Sequence, residues 1–298
     1  MKCFFIKLFG FSSIVLACIV LIVLFIPHPF DYFKEQSIKD QMIDEPSREQ
    51  SIVLLGGSNV IYGFDSKAIE DSLKINTIND GFHAGLGMKF ILENCSHRLI
   101  SGDILVVCPE YEHFLGHGCY GEPLGLGMTV LTNPRYIKSL DSKQLWIVSK
   151  TVPYYIKTML PYYQFWDDNL NLASFNSKGD IYLNEERVTD VEAGQRINDT
   201  VLNKLFCNSF FRQLQALESN GIKVVVYPPS YMLSCYLQNE NLIDKIGSVF
   251  ETEGFPPLCD WSDCAYDDSL FYDTRYHLNK NGAKINTSQL IRLLKTKL

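Results

Sequence analysis

An α/β fold built on a parallel sheet is predicted by three short apolar runs and by what lies between them. Ser51-Ile52-Val53-Leu54-Leu55, Asp103-Ile104-Leu105-Val106-Val107-Cys108 and Ile222-Lys223-Val224-Val225-Val226-Tyr227 are rich in β-branched residues and are closed by Gly56-Gly57, Pro109 and Pro228-Pro229. Continuous apolar runs of this length read as strands covered on both faces, which is the condition of a parallel sheet rather than a half-solvated antiparallel one. Segments of helical periodicity separate them, and parallel neighbours need such crossovers.

Taken in order, the chain opens on a segment from Leu8 to Pro27 that carries no charge and consists mostly of Ile, Val, Leu and Phe. Twenty residues at about 1.5 Å each span the hydrocarbon of a bilayer. The run ends in bulky residues rather than the small ones of a cleavage site, so residues 1–30 read as an uncleaved anchor. Lys2 and Lys7 precede it without an acidic residue, which leaves the N-terminus in the cytoplasm and the rest extracytoplasmic, periplasmic or at the cell surface. Residues 31–50 are polar and of mixed charge, and read as a juxtamembrane tether. The folded domain then covers 51–298. Its first strand is followed by a helix capped by Asp65 or Ser66, a strand at Ile75–Ile78, a glycine-rich break from Gly81 to Gly87, and a helix carrying Phe90, Ile91 and Leu99. From about 116 to 200 the alternation fails, and aromatic stretches at Tyr154-Tyr155 and Tyr162-Tyr163-Gln164-Phe165-Trp166 read as an insertion, whose rings form a small core of its own, stack on sugars or pack on lipid. The rhythm resumes with helices at Leu202–Ser219 and Leu242–Phe250, a short fifth strand near Pro257–Trp261, and a last helix from Ala283 to Lys297.

With 34 acidic against 27 basic residues and a net charge of −7, the chain lacks the clustered Lys and Arg that phosphate backbones require, so nucleic acid is excluded as a partner. Seven of its nine cysteines lie beyond the anchor without metal-ligand spacing. They read as small buried hydrophobes, with Cys259 and Cys264 as the one pair suited to a bridge.

Two places carry chemistry. Ser58 directly follows the first strand in Gly56-Gly57-Ser58-Asn59, at the carboxyl end where ligands of open parallel sheets gather, although the same tetrapeptide also makes an ordinary turn. Near the other end, Asp273-Thr274-Arg275-Tyr276-His277 puts a carboxylate and an imidazole on one loop, either as loop structure or as the base and orienter a serine nucleophile needs. Glu110, Glu112, His113 and His117 form a further cluster after the third strand, to be read as a metal site or as a loop at the site mouth, without the HExxH pattern.

The order of these pieces resembles the SGNH (GDSL-type) hydrolase superfamily, in a membrane-anchored bacterial branch. Gly57-Ser58-Asn59 with Gly63 is similar to its first block, Asn79-Asp80-Gly81 to its second and His277 to its last. The resemblance covers about 51–112 and 223–298. It implies a flavodoxin-like three-layer parallel sheet, Ser58 as nucleophile, His277 as base with Asp273 as its acid, and the amides of Ser58 and Gly81 as oxyanion donors. Asn59, His83, Glu110 and Tyr111 are then candidates to contact substrate, and no metal or cofactor is expected. Two departures stand out. Pro109-Glu110-Tyr111-Glu112 replaces the third block with its oxyanion Asn, and Asp273 lies four residues before His277 instead of three. The expected activity is an acyl esterase or acyltransferase acting on an acylated envelope glycan or another ester. The alternative is an inactive member of the fold that binds glycan or assists polysaccharide assembly.

Overall fold

The computed structural model of the chain describes residues 2–25, 32–158, 174–181 and 192–297. Helix α1 (Lys2–Phe25) is long and apolar enough to cross a membrane: its window Phe4–Leu21 has a mean hydropathy of 2.4 and none of it is buried against the rest of the chain.

Within residues 31–50, expected as a solvated tether, 32–43 are packed structure, and most of 44–50 is exposed. A single turn at Tyr32–Lys34 leads into α2 (Glu35–Ile43), whose Phe33 approach and Ile43 end are buried together with the polar Glu35, Gln36, Lys39 and Asp40. Lys39 donates to the carbonyls of Asn79 (3.0 Å), Gly81 (2.5 Å) and Gly179 (2.7 Å). Asp40 accepts from Tyr136 Oη (2.6 Å), Asn94 (2.7 Å) and Arg135 (3.0 Å), and pairs with Arg98 at 3.1 Å. Farther on, Arg48 meets Asp103 through both guanidinium nitrogens, at 2.7 and 2.9 Å. The buried face of α2 is polar, so its composition looks like that of a tether, while Lys39 and Asp40 find their partners inside.

Strand β1 (Ser51–Gly56) is buried along its whole length and pairs in parallel with β2 (Asn76–Asn79) on one side and β3 (Ile104–Cys108) on the other. Strand β4 (Lys223–Val226) pairs with β3, giving the order β2-β1-β3-β4. Each fully buried Ile, Val or Leu of β1 and β3 contributes about 1.5–3 kcal/mol, so this central pair anchors the core. The expected fifth strand shrinks to one parallel bridge between Val226 and Pro257, because prolines at 256 and 257 offer no N–H to a ladder.

A short helix α3 (Ser58–Ile61) follows β1, and α4 (Ser66–Leu73) is capped by Asp65, which accepts from the Ala68 amide at 2.9 Å. Helix α5 (Met88–Ser96) connects β2 to β3. Helices α6 (Met128–Thr132) and α7 (Ser142–Thr158) occupy the expected insertion and pack on each other and on a π-helical turn at Pro123–Gly127. Within α7, Tyr155 is buried and Tyr154 packs against the core, while Tyr162 to Trp166 lie outside the described residues. Helix α8 (Lys204–Ser219) precedes β4, and α9 (Leu233–Thr252) is about ten residues longer at its start than the sequence pattern predicts. The two-residue strands β5 (Tyr231–Met232) and β6 (Ala265–Tyr266) pair in parallel, and α10 (Lys280–Lys297) closes the fold. Helices α4 and α10 pack together, as do α5 and α8. With this strand order, the right-handed crossovers usual between parallel strands assign these two pairs to opposite faces of the sheet.

The strand order reverses between β1 and β3, so the crevice beyond their carboxyl ends is where a ligand site is expected. Cys95, Cys108, Cys119, Cys207, Cys235 and Cys264 are buried, as expected of small hydrophobes; Cys259 and Cys264 approach to 3.9 Å between sulfurs without a bond.

Candidate functional site

Ser58 stands at that crevice because β1 ends at Gly56 and the chain turns at once into α3. Gly57 is needed here on contact grounds: a Cβ would lie 2.6 Å from Glu110 Oε1 and 3.1 Å from the Ala84 Cα. The crevice is a cleft of about 380 Å³ whose walls include Ser58, His83, Ala84, Glu110, Arg275 and His277. A larger cavity of about 840 Å³, between α4 and α10, gathers no comparable set of acid, base and nucleophile.

His277 reaches the cleft on a tightly closed loop. Phe271 and Leu278 bridge, the Tyr272 amide donates to the His277 carbonyl at 2.8 Å, and Ser230 Oγ and the Met232 amide hold the Tyr276 and Arg275 carbonyls, each at 3.0 Å. Asp273 Oδ1 lies 2.6 Å from His277 Nδ1. With Nδ1–H donating to that carboxylate, Nε2 is the nitrogen left to take a proton. The four-residue spacing is therefore compatible with an orienting acid. The Tyr62 ring stacks on the imidazole, with centroids 4.1 Å apart and planes 7° apart, and Tyr62 directly follows α3. The base is thus fixed against the helix that Ser58 begins. Sequence reasoning missed Tyr62, which has no periodic or motif signal.

The Ser58 hydroxyl is turned elsewhere. It donates to Glu110 Oε1 at 3.4 Å, and the Asn59 amide reaches the same oxygen at 3.3 Å. Among the described residues no hydrogen bond joins Ser58 to His277. Burial, and then the neighbouring Glu112, push the Glu110 carboxyl up to about 8, against the opposing bonds from Asn59 and Ser58. Glu112 is itself engaged by Arg275 at 2.7 Å and by the Tyr276 hydroxyl, and Arg275 also faces Glu192 at 3.5 Å.

Three expected roles change. Gly81 does not face the cleft: its amide donates to Asn79 Oδ1 at 3.0 Å and its carbonyl is held by Lys39, so it is closed to an oxyanion. The chain runs on past it, and Ala84 is the residue that lies against Gly57 beside Ser58 and lines the cleft. Among the described residues the Ser58 and Ala84 amides have no acceptor, and both residues line the cleft. Asn59 is buried and donates to the Cys108 carbonyl at 2.9 Å, which ties α3 to β3 instead of contacting substrate. Tyr111 is buried in an aromatic cluster with Tyr231, Trp261 and Tyr276. Its amide, not its ring, is spoken for, donating to Tyr276 Oη at 3.1 Å.

His83 does line the cleft. Its Nδ1 accepts from the Gly85 amide at 2.9 Å, and burial, with His277 nearby, pushes it down to about 4. His113 is buried, donates from Nε2 to the Ala84 carbonyl at 3.1 Å and is likewise pushed down to about 4 by burial. The cluster after β3 therefore divides its contacts: Glu110 turns to Ser58, Glu112 to Arg275 and His113 to Ala84. Among the described residues no three His, Cys, Asp or Glu side chains converge as a metal ion would need.

Both imidazoles ionise near 6.5 when unfolded, so their depressed folded values give stability that is present above pH 6.5 and lost as pH falls through about 4. His113→Gln keeps a donor for the Ala84 carbonyl and removes one titration. The expected result is a shallower fall in melting temperature between pH 6.5 and 4 than in the wild type. Superimposable slopes would show that His113 is not a neutral buried group. Compared with known proteins, the chain matches no protein-family model and no curated sequence.

Proposed function

We propose that the protein is a membrane-anchored, serine-dependent acyl esterase or acyltransferase of the SGNH hydrolase type, with its domain on the extracytoplasmic side. One observation carries the reading: a serine amide and the Ala84 amide, both without an acceptor among the described residues, and an imidazole oriented by a carboxylate belong to one cleft at the carboxyl ends of β1 and β3. The motif order in the sequence and the reversal of strand order at β1/β3 support the family reading. In this mechanism Ser58 Oγ attacks an ester carbonyl carbon while its proton passes to His277 Nε2. The amides of Ser58 and Ala84 receive the oxyanion, and His277 then returns the proton to the leaving alcohol. The acyl group held on Ser58 goes to water in hydrolysis, or to a glycan hydroxyl in transfer.

The rival reading is a binding protein that keeps the fold, and one observation favours it: the Ser58 hydroxyl is bonded to Glu110 and not to His277. The esterase reading requires the hydroxyl to leave Glu110 and turn toward His277, and side-chain rotations between staggered wells are fast. The deciding test is incubation of the full chain in detergent micelles with a fluorophosphonate probe, followed by mass-spectrometric mapping of the adduct. Modification of Ser58 is the expected result. A folded protein that stays unmodified at Ser58 would leave the binding protein as the better account.

A further inference from the structure

We propose that Glu110 is a catalytic hydrogen-bond donor, a neutral carboxylic acid that stabilises the oxyanion in place of the side-chain amide that the loop after β3 lacks. The inference rests on the esterase reading above and assigns Glu110 a task within it.

The geometry comes first. Glu110 follows β3 by two residues, so the parallel pairing of Gly56 with Cys108 puts it level with the turn that carries Ser58. Its Oε1 is the common acceptor for the Ser58 hydroxyl at 3.4 Å and the Asn59 amide at 3.3 Å, and the residue is only 6% exposed. An oxygen that accepts two hydrogens is the carbonyl oxygen of a carboxylic acid, or half of a carboxylate. Oε2 has no partner among the described residues, and it is not among the enclosed polar atoms that lack one. It therefore opens to the cleft that Glu110 lines.

The surroundings select the neutral form. Of the groups that face Glu110, Glu112 on its own loop is an acid, and Cys108 beneath it is a thiol pushed up by burial. His83 and His113, from the segments after β2 and β3, are held neutral by burial. His277 lies across the cleft, bonded to Asp273, and Glu122 and Glu192 are two further acids of the cleft wall. The cation that acts on it, Arg275, is bonded to Glu112 and faces Glu192. Among the described residues no cation is bonded to Glu110 itself, and a buried carboxylate without one is costly. Protonated, the group has an O–H on Oε2 to offer. When Ser58 Oγ bonds to the ester carbon and the C=O π pair moves to oxygen, that O–H donates to the new oxyanion without giving up its proton. Buried acids held neutral at pH 7 for this purpose are a known solution to oxyanion stabilisation.

The test uses the full chain in detergent micelles, with Glu110→Gln and Glu110→Ala made beside the wild type. All are assayed with p-nitrophenyl acetate and the fluorophosphonate, and folding is checked by circular dichroism. Glu110→Ala is expected to lose about 10²- to 10³-fold in kcat, the cost of one oxyanion donor. Glu110→Gln restores an N–H donor and is expected to recover all but about tenfold of that rate. Wild-type kcat should fall above about pH 8, where Glu110 ionises and turns a negative charge on the oxyanion, and Glu110→Gln should lack this fall. Glu110→Gln as slow as Glu110→Ala would make Glu110 a carboxylate base and overturn the proposal, as would Glu110→Ala at the wild-type rate. An independent readout is the infrared difference between wild type and Glu110→Gln at neutral pH, in which a protonated-acid carbonyl stretch is expected for the wild type while Asp80, whose carboxyl burial pushes up to about 7, cancels. If wild type neither turns over nor labels, the esterase reading fails and takes this role with it, while the infrared band still reports separately whether Glu110 is neutral.

Discussion

Ser58→Ala, His277→Ala and the double variant are expected to lose ester turnover by the same factor, on the order of 10⁴- to 10⁶-fold. The equality is the informative part. A nucleophile and its base act on one proton in one step, so removing either leaves the other without a task and the second deletion costs nothing further. The structure makes this a demanding test, since Ser58 donates to Glu110 and not to His277. Two independent contributions would multiply, and the double variant would then be slower than either single one. If His277→Ala retained most of the wild-type rate while Ser58→Ala did not, the proton of Ser58 would have to leave by Glu110. Asp273→Asn should lose no more than the lower end of that range, about 10⁴-fold, because the amide reverses the hydrogen bond at Nδ1 and selects the wrong tautomer. Initial rates with p-nitrophenyl acetate, corrected for the buffer reaction, measure all four.

How far the site could be read from the sequence depended on whether a residue's task is set by its own neighbours in the chain. Ser58 was legible because the end of a buried apolar run followed by two glycines fixes both its place in the sheet and the approach of other chain segments. Asp273 and His277 were legible as a pair because one short loop holds both. Gly81 was misplaced since its tripeptide matches a motif, while the side chain of Asn79 and the ammonium of Lys39, the latter 42 residues upstream, close both of its backbone groups. Ala84 and Tyr62 carry no sequence signal at all. Their roles arise where separate segments meet, at the Gly57 contact and in the stack on His277. Glu110 was visible only as a departure from a pattern, and its neutral state depends on burial that no local composition reveals.

The fold divides in the same way. Strands β1 and β3 were legible because strands covered on both faces write their burial into every residue, and β4 because its Val224-Val225-Val226 run is β-branched although Lys223 is exposed. The fifth strand was not, since its prolines at 256 and 257 allow only a bridge to Val226. Helix α2 was the largest miss. An amphipathic reading looks for an apolar stripe, and α2 buries a polar one whose partners come from four other segments. What the composition marks as a solvated tether is therefore part of the core, placed seven residues after the last described residue of α1.

That helix supports the second large expected effect. Lys39→Met is predicted to destabilise the domain by about 3–5 kcal/mol, the usual cost of removing one partner from a buried ionic cluster. Methionine fills the space of the lysine stem, so the loss isolates the ammonium. Without it the carbonyls of Asn79, Gly81 and Gly179 each lose a donor in a place water does not reach, and Asp80 and Asp180 lose the positive charge that faces them. Burial pushes the Lys39 amine down from its ordinary range, yet three carbonyl acceptors use all three hydrogens of the charged form, so the ammonium is the state the site is built for. The effect should extend to activity, because the carbonyls of Asn79 and Gly81 begin the segment that carries Ala84 to the cleft. Urea unfolding of the full chain in micelles, followed by tryptophan fluorescence, gives the stability, and fluorophosphonate labelling well below the unfolding midpoint gives the site. A midpoint unchanged to within about 0.5 kcal/mol would mean that the three carbonyls find other donors, and that α2 is held by its apolar ends alone. A large loss of stability with an unchanged labelling rate would show instead that Lys39 fastens α2 to the domain without setting the position of Ala84.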